Sequence, residues 1–162
     1  MILSKTETID GVTITAHELS VSQYCDLLHA MGDTLIESIE SYQLYLLSNP
    51  SDGLARAEQV IKSSKPLNKL TNSQQEKAIV LFMSVNPYLF KESPKSKRQR
   101  EIATRTGAKP TPETASSHLR AIQKNICVMV QNGHTGAADY GMSFFDLAIN
   151  ELIEQQERAK NG

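Results

Sequence analysis

The residues of this chain with the widest chemical range are four histidines and two cysteines, and their spacing assigns them no reaction. His17, His29, His118 and His134 stand far apart, and none is spaced with cysteine or carboxylate as a metal-ligand set requires. His118 falls beside Ser117 on a helical stretch and reads as a surface or half-buried residue rather than a base. Cys25 and Cys127 each lie inside an apolar helical pattern, which reads as two buried thiols and not as a disulfide or metal site. Glu37 and Glu40 are ordinary solvated helix positions. No glycine-rich loop joins a strand to a helix, so a nucleotide cradle has no support. The expectation is a protein that is not an enzyme, with no catalytic, cofactor-binding or metal-binding residues.

One stretch does carry concentrated charge. Between Lys91 and Lys109, the residues Lys95, Lys97, Arg98, Arg100 and Arg105 stand against Glu92 and Glu101. Phosphate contacts need such local charge, and so does attraction to an acidic protein. Yet no aromatic follows Phe90 within it, and no recognition helix is evident. The favoured reading is a solvated connection with no nucleic acid bound. A nucleic-acid-binding accessory protein using this segment is the main competitor, and a helical regulatory adaptor is a third reading.

Those few polar groups must be positioned by a chain of 162 residues with a net charge of −1, most economically one domain over 1–162. The start has no basic region followed by a long apolar run, so no signal peptide is expected, and no apolar run reaches the ~20 residues that cross a bilayer. A soluble, cytoplasmic protein without membrane association is expected.

The first element, residues 1–18, reads as a β-hairpin. Asp10-Gly11 suits a type I′ turn, because both central positions need positive φ. Counting outward, Ile9 faces Val12 and Glu7 faces Ile14. Leu3, Ile9, Val12, Ile14 and Ala16 then share one face, and Thr6, Thr8, Thr13 and Thr15 share the other. Nothing downstream reads as a third strand. The apolar face is expected to pack on the following helix near Tyr24 and Leu28.

Helix signals fill 19–90. Ser20 and Gln23 form a capping box ahead of one long amphipathic helix through Leu46, with a bend at Gly32-Asp33. A short helix is expected from about Asp52 to Lys62, with Val60 and Ile61 on its apolar side. Ser73 and Glu76 form a second box ahead of "AIVLFMSV", the expected central helix. The exposed basic connection occupies 91–111, with Ser93-Pro94 and Thr111-Pro112 as helix starts and Gly107 as a stop. In 112–160 one helix carries Leu119, Ile122, Ile126 and Val130 inward. A last helix begins at Ser143 and Asp146, with Phe144, Phe145, Leu147, Ala148, Leu152 and Ile153 apolar. The fold class is mainly α: an N-terminal β-hairpin followed by a bundle of about five or six helices.

"LSKTETIDGVTITAHELSVSQ" resembles the start of the minor tail protein G family, the tail assembly chaperones of lambda-type long-tailed bacteriophages. The resemblance is close from Leu3 to Met31, and looser in "TNSQQEKAIVLFMSV" and "ETASSHLRAIQKNICVMVQN". From Gly136 onward a phenylalanine-led helix stands where the family resemblance implies a polar, proline-containing tail. The resemblance implies a non-enzymatic scaffolding chaperone of the host cytoplasm, absent from the finished virion. It would bind the tape measure protein and keep it soluble, and a frameshifted extension would recruit the tail tube protein. A homo-oligomer is expected. Client-binding candidates are Leu35, Ile39 and Tyr42 of the first helix and Phe144, Phe145 and Leu152 of the last. Each taken singly is more often core than surface. Of the adjacent phenylalanines, one must turn outward, since neighbouring helix positions point about 100° apart. Thr6, Thr8, Thr13 and Thr15 mark the strands that would offer an edge to another copy. Ala159, Lys160 and Asn161 can be encoded by an A-rich slippery heptamer, within a tail expected to fray into solvent.

Overall fold

A computed structural model of the chain describes residues 2–33, 35, 58, 60–89, 94–109 and 113–162. It opens with two antiparallel strands, β1 (Ser4–Ile9) and β2 (Val12–His17), in the register that places Ile9 on Val12 and Glu7 on Ile14. Asp10 and Gly11 have φ values of 49° and 78°, the paired positive angles of a type I′ turn. Ile9, Val12, Ile14 and Ala16 are buried. On the opposite face Thr6 and Thr15 hydroxyls meet at 2.8 Å, and Thr8 and Thr13 at 3.4 Å. Leu3 does not join the buried face. It precedes the strand and is largely exposed, and its backbone is used instead.

The hairpin is not alone. Strand β3 (Ile61–Ser63) pairs antiparallel with β2, giving the order β1-β2-β3. Val60 and Ile61, expected on a helix, are buried at the start of this strand, and Val60 accepts a bond from the His17 N–H at 2.8 Å. Two adjacent β-branched residues favour extended backbone. Three residues are too few to display a period of two, which is why the strand is hidden from pattern reading. The earlier part of that expected helix, 52–57, lies outside the described residues.

Helix α1 (Val21–Met31) begins at the expected Ser20–Gln23 capping box. It does not run on to Leu46 as one helix. Gly32 turns to φ 57° and its N–H bonds back to the Leu28 and His29 carbonyls, ending the helix at Met31. After a 3₁₀ turn at Leu67–Lys69 comes α2 (Asn72–Val85). Its box is Thr71–Gln74, two residues before the expected Ser73–Glu76. Both tetrads fit the pattern, but Gln74 also donates to the Ile9 carbonyl at 3.3 Å, so the earlier box ties the helix to the hairpin turn. The sheet rests on α2, and α1 packs instead on α4 (Ala115–Gln131). That corrects the expected contact with Tyr24 and Leu28.

Helix α3 (Pro94–Thr106) starts at its proline and closes at Gly107, φ 75°. Helix α4 is capped by Thr114 with Ser117, and the expected start at Thr111-Pro112 lies outside the described residues. It buries Ala115, His118, Ile122 and Met129, with Leu119 and Ile126 half-buried and Val130 exposed rather than inward. A 3₁₀ turn at Ala137–Asp139 leads to α5 (Met142–Asn161). Its cap is Gly141, not a Ser143–Asp146 box.

The missing side-chain cap of α5 comes from far away. Glu18, 1% exposed, accepts from the Ser143 N–H with one carboxylate oxygen and from the Leu3 N–H at 3.2 Å with the other. Its own N–H donates to the Leu3 carbonyl at 2.7 Å. Beside it, the Leu19 N–H donates to Asn86 Oδ1 at 2.8 Å, and the Leu19 carbonyl accepts from the Met142 N–H at 3.1 Å. Hydrogen bonds to a charged group are worth ~1.5–3 kcal/mol each, so Glu18→Ala should cost about 3 kcal/mol. Urea denaturation should give a lower midpoint with the slope unchanged. Glu18→Gln, which keeps an acceptor, should lose less.

Candidate partner-binding surface

Of the four histidines, His118 is an interior fastener. His118 is buried, not at the surface, with its ring nitrogen 3.0 Å from Glu113 Oε1 and its ring edge-on to Tyr24 at 5.8 Å. Tyr24 is fully buried, so this constellation fastens α1 to α4 with no opening for a substrate. His134 bonds the Tyr140 hydroxyl at 2.9 Å, and His29 stands in the last turn of α1. Among the described residues no group of three His, Cys, Asp or Glu side chains could hold a metal ion.

The cysteines are both free and differ in setting. Cys25 is half-buried, and burial, followed by the nearby Asp26 charge, pushes its thiol above the usual range. Cys127 is exposed, a correction to the expected burial, because α4 turns Met129 and Ile122 inward instead.

Several large apolar side chains are also accessible on helices. Phe144 and Phe145, adjacent on α5, diverge: Phe145 is 3% exposed in the core and Phe144 is 42% exposed. Phe144 packs edge-on to Tyr140 at 4.9 Å, and Tyr140 packs in turn on His134. One turn along, Leu147 is 66% exposed, the most open large apolar side chain among the described residues. Its pairing with Phe144 at three-residue spacing was visible in the sequence, but helical periodicity alone does not say which side faces out. Leu152 is half-buried against the core. From Ile153 to Gly162 every residue is exposed, so α5 leaves the body as an arm. Ala159, Lys160 and Asn161 lie on this arm in helix, not in a frayed tail, and Glu154 and Arg158 pair across one turn at 3.4 Å.

The other candidates scatter. Leu35 is exposed and forms an isolated β-bridge with Thr114, while Ile39 and Tyr42 lie outside the described residues. Thr6 and Thr8 belong to the edge strand β1. Thr13 and Thr15 do not, since β2 is the central strand: Thr15 pairs with Lys62, and the Thr13 N–H donates to Ser64 Oγ at 3.0 Å. Helix α3 exposes Lys97, Arg98, Arg105 and Ile102, and shares no extensive contact with any other described element.

Comparison with protein-family models, with curated proteins and with solved structures gives no match.

Two measurements check this placement. Phe145→Ser should cost about 3–5 kcal/mol of stability, as loss of a core ring does, whereas Phe144→Ser should stay within ~1 kcal/mol. Thermal unfolding reads both. In alkylation with iodoacetamide at pH 8, followed by peptide mass spectrometry, Cys127 should be modified before Cys25, whose raised pKa leaves less thiolate.

Proposed function

We propose that this protein is a non-catalytic tail assembly chaperone of the minor tail protein G type, which holds a long helical client, the tape measure protein, in soluble form. The observation that carries this reading is the outward face of α5, where Phe144 and Leu147 stand exposed on a rigid helix backed by buried Phe145 and Ile149. An amphipathic client helix is recognised by apolar anchors at three- and four-residue spacing, and such anchors need no catalytic constellation. Low affinity per contact suits a client bound by many copies at once. The exposed arm beyond Leu152 gives a frameshifted extension a place to reach the tube protein without disturbing the core. The edge of β1, unpaired among the described residues, offers a contact for self-association. The setting is the host cytoplasm, and the chaperone leaves before the virion is complete. Among the described residues no helix is long and apolar enough to cross a membrane.

A second reading, nucleic-acid binding through α3, draws on its exposed Lys97, Arg98 and Arg105. Salt separates the two. Contacts to phosphate weaken steeply with added salt, by a factor that grows with each contact made. Apolar seating of a helix does not.

Co-expression with a tape measure protein is the direct test. The wild-type chain should raise the soluble client fraction several-fold, and the Phe144→Ser/Leu147→Ser double variant should lose that effect while keeping its thermal midpoint. A double variant that solubilises the client as well as wild type would remove the α5 face from the mechanism.

A further inference from the structure

Two helices of this chain end in solvent with faces that complement each other. On α5, Phe144, Leu147, Glu151 and Glu154 recur at three- and four-residue spacing and share one side, all exposed. That side is apolar near the body and acidic further along. On α3, Arg98, Ile102 and Arg105 recur in the same way, with Ile102 53% exposed between two exposed arginines. Neither Arg98 nor Arg105 has an acidic partner among the described residues. Helix α3 spans 13 residues, and none of its described side chains, from Lys97 to Thr106, is buried. A helix of that length gains most of its stability from packing.

We propose that α3 of one copy docks on the exposed α5 face of a second copy. Ile102 seats against Phe144 and Leu147, and Arg98 and Arg105 reach Glu151 and Glu154. Arginine is suited to this, because its planar fork meets a carboxylate bidentately. Opposite charges flanking an apolar contact fix its register and exclude like-charged partners. The contact joins two different surfaces, so copies add head to tail unless two of them exchange α3 reciprocally. It is independent of the β1 edge, and because it covers Phe144 and Leu147 it competes with a client for the same face.

Charge reversal with purified full-length chains tests it. Both sets of positions are exposed, so circular dichroism and thermal midpoint should match wild type in every variant. Sedimentation velocity of wild type at rising concentration should show association, weakened roughly tenfold or more by Arg98→Glu/Arg105→Glu. Glu151→Arg/Glu154→Arg should weaken it equally. Mixing the two variants should restore a complex, since the reversed faces now match each other. A wild-type chain that stays monomeric at several hundred micromolar would overturn the proposal. So would association unchanged by either reversal, or two weakened variants that do not recover on mixing. If Arg98→Glu/Arg105→Glu instead abolishes binding of a labelled single- or double-stranded oligonucleotide while leaving association intact, α3 serves nucleic acid and the proposal is wrong.

Discussion

The fold hangs on the three residues between the hairpin and α1. Glu18, Leu19 and Ser20 all meet the start of α5, and each is also tied to a further part of the chain. Glu18 binds the strand start at Leu3 and the first turn of α5 through Ser143. Leu19 is gripped by Asn86 at the end of α2 and by Met142. Ser20 caps α1 and bridges Gly141. The carboxylate sits where the dipole of α5 favours negative charge, so burial and capping support each other. A buried carboxylate with its partner removed is costly, and that cost makes the joint cooperative. The Glu18 carboxylate is satisfied only when the strand start at Leu3 and the first turn of α5 meet, and the adjoining Leu19 brings in the end of α2.

From this joint the division of labour follows. Because α5 is pinned at its N-terminus, its first turns lie on the core through Met142, Phe145 and Ile149. A helix of 20 residues is about 30 Å long, and from Ile153 onward every residue of α5 is exposed. The remainder therefore leaves the surface as an arm. Its polar side chains stabilise it by i,i+4 pairs such as Glu154 with Arg158, each worth only a few tenths of a kcal/mol. Phe144 and Leu147 are thus presented from the part of the helix that packs on the core, and Glu154 from the exposed arm.

Local chemistry made some of this legible in the sequence. The Asp10-Gly11 turn and the alternation of threonine with aliphatic residues set the hairpin register, because both signals act within a few residues. The Ser20–Gln23 box lies where a period of two changes to one of 3.6, so its position was unambiguous. Thr71–Gln74 and Ser73–Glu76 overlap, and only the contact from Gln74 to Ile9 distinguishes them. Glu18 was unreadable for a different reason. An acidic residue before a capping serine looks like surface, and the partner that buries it is Ser143, far along the chain. The same holds for His118, whose fate depends on Tyr24 in another helix. Divergence of Phe144 and Phe145 followed from helix geometry, but which of the two turned inward depended on tertiary packing.

Among the described residues the buried polar groups serve to join elements of the fold. Here Glu18, Asn86, Gln74 and the Glu113–His118 pair are taken up inside, and no buried side-chain polar atom among the described residues lacks a partner. Their hydrogen-bonding capacity is spent on holding elements together. Phe144, Leu147 and Ile102 are among the large apolar side chains left facing solvent. Exposed aliphatic and aromatic side chains on helices gain free energy only by being covered, at about 25 cal/mol per Å² buried. The charges beside them cannot supply much affinity in water, but they decide which cover is accepted. In the docking proposed above, selectivity lies in the order of charges along α3 and α5, which sets the register in which the apolar side chains are covered.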